Sequence, residues 1–245
     1  MKKPVVCDFE MNLDASRCLK FALWFAGAMR QHLNIRMPAG EKHDALAKAI
    51  YERYGVDLTR SNVRLVDGQA VRENALDCIY VSPLPLNEAR RIAPFGSDLL
   101  LSLQEDGGRQ SQGVRPICLP FGSRDMEMRA ADLAFPIAKQ LGTHVVAVHT
   151  TYPKPGMSDK RPLAHLVEST RKAMVELEAR AAKHQVALQF DIQMAEEIAC
   201  YVIEAAIHHS CGLLVMSRGR VLHGCNAERV AERTHLPILL TGGGS

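Results

Sequence analysis

No run in this 245-residue chain approaches the roughly 18 consecutive apolar residues that a membrane-spanning helix needs. A surplus of one charge is missing too. The chain has 30 basic and 27 acidic residues, and splitting it at Gly113 gives 15 against 14 in the first half and 15 against 13 in the second. Neither half carries the electrostatic footprint of a nucleic-acid binder. Regular cysteine spacing is absent: Cys7, Cys18, Cys78, Cys118, Cys200, Cys211 and Cys225 are odd in number and form no C-x-x-C knuckle, and some sit in apolar runs such as Pro116-Ile117-Cys118-Leu119. They read as reduced thiols of a cytoplasmic protein. The lysines of Met1-Lys2-Lys3-Pro4 are followed by a short strand rather than by the apolar region of a signal peptide. No nucleophile, histidine and acid stand in a recognisable triad context. At 245 residues the chain is long enough for one large domain or two small ones, and its 47% hydrophobic content is ordinary for a globular protein.

The most informative stretch runs from Leu213 to Leu240. Leu213, Leu214, Val215 and Met216 read as a strand buried on both faces, with Ser217-Arg218-Gly219-Arg220 as the loop leaving its carboxyl end. Asn226 reads as the N-cap of a short helix. Thr234-His235-Leu236-Pro237 stops that helix, and Ile238, Leu239 and Leu240 form a closing strand. An open α/β sheet keeps its ligand at such a carboxyl edge, and the free N–H groups of a helix start attract phosphate.

The chain repeats itself. Pro4-Val5-Val6-Cys7-Asp8 opens it much as Pro116-Ile117-Cys118-Leu119-Pro120 opens the second half, and Asn87 to Ser102 aligns without a gap to Asn226 to Thr241. The polar, glycine-rich stretch 105–114 between them has linker composition. Two units follow, 1–104 and 115–241, with 242–245 as a flexible tail. In the second, strands are predicted near 115–120, 143–150, 186–193, 211–216 and 237–241, and helices near 124–141, 160–184, 195–209 and 226–234. In the first, strands are predicted near 4–8, 33–37, 62–67, 78–82 and 98–103, and helices near 14–31, 41–54, 69–76 and 87–93. Strand and helix alternate, which makes the class α/β, with two doubly wound, mostly parallel five-stranded sheets.

The run Pro116-Ile117-Cys118-Leu119-Pro120-Phe121-Gly122-Ser123, then Ser217-Arg218-Gly219-Arg220 and Ala227-Glu228-Arg229-Val230, resemble in that order along the chain the universal stress protein family. The resemblance covers about residues 115–241, and the first unit looks like a worn copy. It implies tandem flavodoxin-like (Rossmann-like) domains that pair as the two subunits of a single-unit dimer would, in a non-enzymatic stress-response factor. It also implies an adenine nucleotide, ATP or AMP, as ligand. Gly122, Ser123 and Thr150 would line the nucleoside pocket, while Gly219, Gly224, Cys225 and Asn226 would hold phosphate by backbone N–H groups. An unknown protein partner and a homodimer are the further partners it allows; nucleic acid and membrane are not expected.

The chain departs from that pattern. ATP-binding members resemble one another in a loop written Gly-x-x-Gly, about nine residues, then Gly-Ser or Gly-Thr. Here Met216 stands at the first glycine and only four residues separate Gly219 from Gly224. Five missing residues remove up to about 17 Å of reach, enough to stop a loop encircling a triphosphate. Phe121 stands where the family carries an aspartate, and its ring offers a ribose no acceptor, though adenine could stack on it. In the first unit Asp8 or Glu10 keeps a carboxylate, but Ser82-Pro83-Leu84-Pro85-Leu86 has no glycine and two prolines. Gly219 and Gly224 read equally well as turn glycines, and Arg218 and Arg220 as solvated charge.

The nucleotide site is therefore expected to be degraded in both units. The alternatives are an adenine-nucleotide sensor in the second unit, or slow ATP hydrolysis there, for which no general base is evident. His208-His209-Ser210-Cys211 and His223-Gly224-Cys225 suit a soft metal by type but not by spacing, so no metal is expected. Gly122-Ser123-Arg124-Asp125 lacks the second glycine of an ATP-pyrophosphatase phosphate loop, and Ser123 serves better as an N-cap.

Overall fold

Short aliphatic runs become strands because their alternate residues can bury on both faces of a sheet covered by helices. The computed structural model describes residues 4–8, 13–37, 43–54, 62–67, 78–82, 98–101, 115–122, 125–151, 161–217 and 227–241. The chain divides into two units, Met1 to Leu103 and Gln104 to Gly243. The first contains β1 (Val5–Asp8), α1 (Leu13–Ala28), β2 (Leu33–Met37), α2 (His43–Tyr54), β3 (Val63–Asp67), β4 (Ile79–Ser82) and β5 (Asp98–Leu101). The second contains β6 (Ile117–Pro120), α3 (Asp125–Leu141), β7 (Val145–Thr151), α4 (Arg161–His184), β8 (Leu188–Met194), α5 (Ile198–His208), β9 (Leu213–Ser217), α6 (Ala227–Arg233) and β10 (Ile238–Thr241). The helices expected near 69–76 and 87–93 lie outside the described residues.

Each unit is α/β and doubly wound. The strand orders are β3-β2-β1-β4-β5 and β8-β7-β6-β9-β10, and the ladders within each are parallel. Within the flavodoxin-like (Rossmann-like) class this order, 3-2-1-4-5, is the Rossmann-type one, with the first strand central and the chain reversing direction between first and fourth. Val5 pairs with Leu33 as Ile117 pairs with Val145, so the two units can be equated residue by residue.

In the second unit α3 packs on β6, β7, β9 and β10 and against α4, while α5 packs on β7 and α6. Strand alternation and the pair registers put Ile117, Leu119, Ala147, His149, Phe190 and Ile192 on one face. Cys118, Val148, Thr150, Asp191 and Gln193 lie on the other. On α4 an apolar stripe buries Ala173, Leu177 and Ala181, and Arg180 holds Asp132 of α3 at 3.0 Å and Glu176 at 2.6 Å. Among the described residues no helix is long and apolar enough to cross a membrane.

Helix ends explain where the expected boundaries slipped. α1, α3, α4 and α5 each finish with a left-handed residue, namely Arg30 (φ 51°), Gly142 (φ 65°), Gln185 (φ 57°) and Ser210 (φ 52°). The following N–H bonds back five residues, as in Gln31 N–H to Ala26 O and Thr143 N–H to Ala138 O. This closure ends α1 at Ala28 rather than near residue 31. α5 starts at Ile198 because Glu197 is still extended.

Candidate functional site

In the second unit the reversal of direction falls between β6 and β9, so the carboxyl ends of these strands flank the crevice in which open α/β sheets bind ligands. Phe121 N–H donates to Val148 O at 2.9 Å, prolonging the β6–β7 ladder. Continuing that register by one more residue sets Gly122 beside Thr150. Of the sequence-predicted site residues these two are described and lie together. Ser123, Gly219, Gly224, Cys225 and Asn226 lie outside the described residues.

Phe121 fills its place instead of opening it. It is 6% exposed, its ring lies 5.1 Å from that of His149, and Phe190 meets it edge-on at 5.8 Å. The expectation that adenine stacks on Phe121 is therefore corrected, because its neighbours already cover the ring. Met216, at the place of the first glycine, is also buried.

His149 was not singled out by sequence reasoning. It is 8% exposed, and Nδ1–H donates to the Phe121 carbonyl at 2.8 Å. A carbonyl can only accept, so the proton sits on Nδ1 and Nε2 carries a lone pair. Burial lowers the His149 pKa more than the backbone bond raises it, so the ring is neutral at pH 7. Its Nε2, Thr150 Oγ1 and Thr241 Oγ1 are buried without a hydrogen-bond partner. They do not form one cradle, because alternation puts Thr150 on the opposite face from His149 and Thr241 lies on β10.

Two further clusters flank α5. Asp191 Oδ2 accepts from His209 Nε2–H at 2.9 Å, and Oδ1 accepts from the Tyr201 hydroxyl. Burial would raise the Asp191 pKa, but hydrogen bonds from Tyr201 and His209 outweigh it and hold the carboxyl below its ordinary value. Burial and the same carboxylate push the Tyr201 phenol up. At the helix entrance the Cys200 thiol donates to Glu197 Oε2 at 3.2 Å, and Arg233 reaches both Glu197 and Cys200 Sγ. His209, weighed as a metal ligand, is thus engaged with Asp191. Among the described residues no group of three or more His, Cys, Asp or Glu is placed to hold a metal.

In the first unit Asp8 pairs with Arg36 in the β1–β2 ladder, at the level where Pro120 pairs with Val148 in the second. Asp8 therefore stands one residue earlier in its ladder than Phe121 does.

No family model matches the chain, and no curated protein does. Solved structures do. A universal stress protein from Archaeoglobus fulgidus DSM 4304 aligns over 100% of this chain and 100% of its own, with TM-score 0.70 and 10% identity. A putative universal stress protein from Pseudomonas aeruginosa UCBPP-PA14 aligns over 98% and 93%, with TM-score 0.60 and 14% identity. A functionally unknown protein from Pseudomonas aeruginosa PAO1 aligns over 98% and 92%, with TM-score 0.61 and 14% identity. The chain has the fold of the tandem-length universal stress protein structures along nearly its whole length.

Proposed function

We propose that this chain is a tandem universal stress protein, a cytoplasmic and non-enzymatic stress-response factor whose nucleotide sites are degraded in both units. Its domains are 1–104 and 115–241, joined by the linker 105–114. The full-length likeness in fold supports this reading, and the buried Phe121 ring, packed on His149 and Phe190 where a nucleoside-holding carboxylate would stand, carries it. A phenyl ring accepts no ribose hydroxyl.

A second reading, adenine-nucleotide binding by the second unit, draws on one observation. Thr150 Oγ1 is buried and unpartnered beside Gly122, and a hydroxyl from a ligand would satisfy it. Gly219, Gly224, Cys225 and Asn226 would then contact phosphate through backbone N–H groups, with AMP preferred over ATP because the loop is short. His149 does not suit a base for ATP hydrolysis, since its ring is shielded behind Phe121.

Thermal unfolding with and without magnesium and saturating ATP, ADP or AMP separates the readings. A ligand at 100 times its dissociation constant adds about 2.7 kcal/mol, a shift of several degrees for a chain of this size. No shift with any of the three is expected. A shift of several degrees would replace the degraded-site reading by that of a sensor, and the best ligand would identify what the short loop admits.

A further inference from the structure

Among the described residues β8 is the outermost strand of the second unit's sheet, paired along its whole inner side from Leu188 to Met194 with β7. A seven-residue outer strand presents a row of backbone N–H and C=O groups that another strand can pair with. Protected edges are short, or carry lysine or proline. The sequence Leu-Gln-Phe-Asp-Ile-Gln-Met has neither, and no arginine. Its one charge, Asp191, is taken by Tyr201 and His209 on the face that α5 covers. On the opposite face Ile192 is 37% and Met194 is 49% exposed.

We propose that β8 pairs with β8 of a second copy of this chain, antiparallel, about a two-fold axis at Ile192. In that register Ile192 meets Ile192 and each Phe190 meets Met194, an apolar cross-strand row on one face. On the other face each Asp191 meets Gln193, a carboxylate acceptor opposite an amide donor, so charge and polarity are complementary. Gln193 Nε2 already lies 3.5 Å from Asp191 Oδ1 within the strand. An axis at Asp191 would set two carboxylates opposite each other, and an axis at Phe190 would run Met194 past the end of the partner strand. The Ile192 axis buries both exposed apolar residues and faces no like charges. The interface is self-complementary and closes at two copies.

Sedimentation equilibrium of the full chain over a wide concentration range tests this. A doubling of mass with concentration is expected, and Ile192→Lys, at an exposed position, weakens the association about tenfold or more. Far-UV circular dichroism confirms that this variant folds. Ile192→Cys under mild air oxidation is expected to give a covalent dimer linked through position 192, whereas Gln189→Cys, whose opposite number would be Ala195, gives none. A monomer at every concentration overturns the proposal, as does a dimer indifferent to Ile192→Lys or a cross-link mapped to another position.

Discussion

The two units share one strand order and differ sharply at a few equivalent places. The third strand shows the contrast best. β3 has five residues and carries Arg64 and Asp67, while β8 has seven, lacks any basic residue and exposes Ile192 and Met194. Along the second strand, the place of Met37 in the first unit is held by His149 in the second, and both are buried. Before the fourth strand Cys78 corresponds to Gly212, where an added Cβ would lie 2.8 Å from Arg115 Cβ. The aliphatic positions at the sheet centre hold the fold in both units. The differences named above fall at strand ends and on the outer strand, so side chains at these places can be exchanged between units to test what each does.

The largest effect is expected at Asp191, whose equivalent in β3 is Val66. Asp191→Val removes the acceptor of both the Tyr201 hydroxyl and His209 Nε2–H, leaving two part-buried donors unpaired. A loss of about 2 to 3 kcal/mol is expected in urea unfolding at pH 7. The pair also sets an acid limit. The Asp191 pKa is depressed on folding, so its contribution is complete above the ordinary value of 3.8 and is lost as pH falls below it. A change under about 0.5 kcal/mol would mean that water replaces the carboxylate without penalty.

His149→Met, which installs the residue of the first unit, tests a smaller and pH-dependent term. The His149 pKa is lower in the folded chain than its ordinary 6.5, so the unfolded chain binds the proton more readily. Stability from this group is therefore full above pH 6.5 and is lost as pH falls, with a slope no steeper than about 1.4 kcal/mol per pH unit. His184, whose pKa burial also lowers, contributes in the same sense. The variant should show a shallower loss of stability than the natural chain between pH 7 and pH 5, read from urea midpoints. An unchanged slope would place the acid sensitivity elsewhere.

Much of the fold was legible because local signals agreed: Leu213 to Met216 is aliphatic on both faces, and turn residues bound it. Both sheets and the alternation of strand with helix followed from such runs. The site was less legible. Val145-Val146-Ala147-Val148-His149 reads as a plain strand, and nothing local announces that its histidine caps the Phe121 carbonyl 28 residues away. The Asp191, Tyr201 and His209 cluster joins a strand to both ends of a helix, a contact that periodicity does not contain. Alternation in Leu188 to Met194 marks a half-buried strand, but only the sheet order makes it an outer one. The level of Asp8 against Pro120 also needed the ladder registers, since the sequence leaves Asp8 and Glu10 as alternatives.

The smallest effect sharpens the comparison at a helix end. Arg30 closes α1 in the first unit with φ 51°, and Gly142 closes α3 in the second with φ 65°. The same five-residue backbone bond follows each, so the two turns differ in the cost of the left-handed residue rather than in hydrogen bonding. An L residue there is disfavoured by roughly 1–2 kcal/mol, while glycine gives back part of this through the larger entropy of its unfolded chain. Arg30 is exposed, so little packing is lost with its side chain. Arg30→Gly should therefore stabilise the chain by about 0.5 to 1 kcal/mol, seen as a higher urea midpoint with an unchanged slope. The reverse exchange, Gly142→Arg, should destabilise it by a similar amount, because nothing lies within 4 Å of an added Cβ and the backbone angle alone is at stake. Equal and opposite shifts would show that the two units close this helix by one mechanism, and a loss in both variants would show that the Arg30 side chain contributes more than its exposure implies.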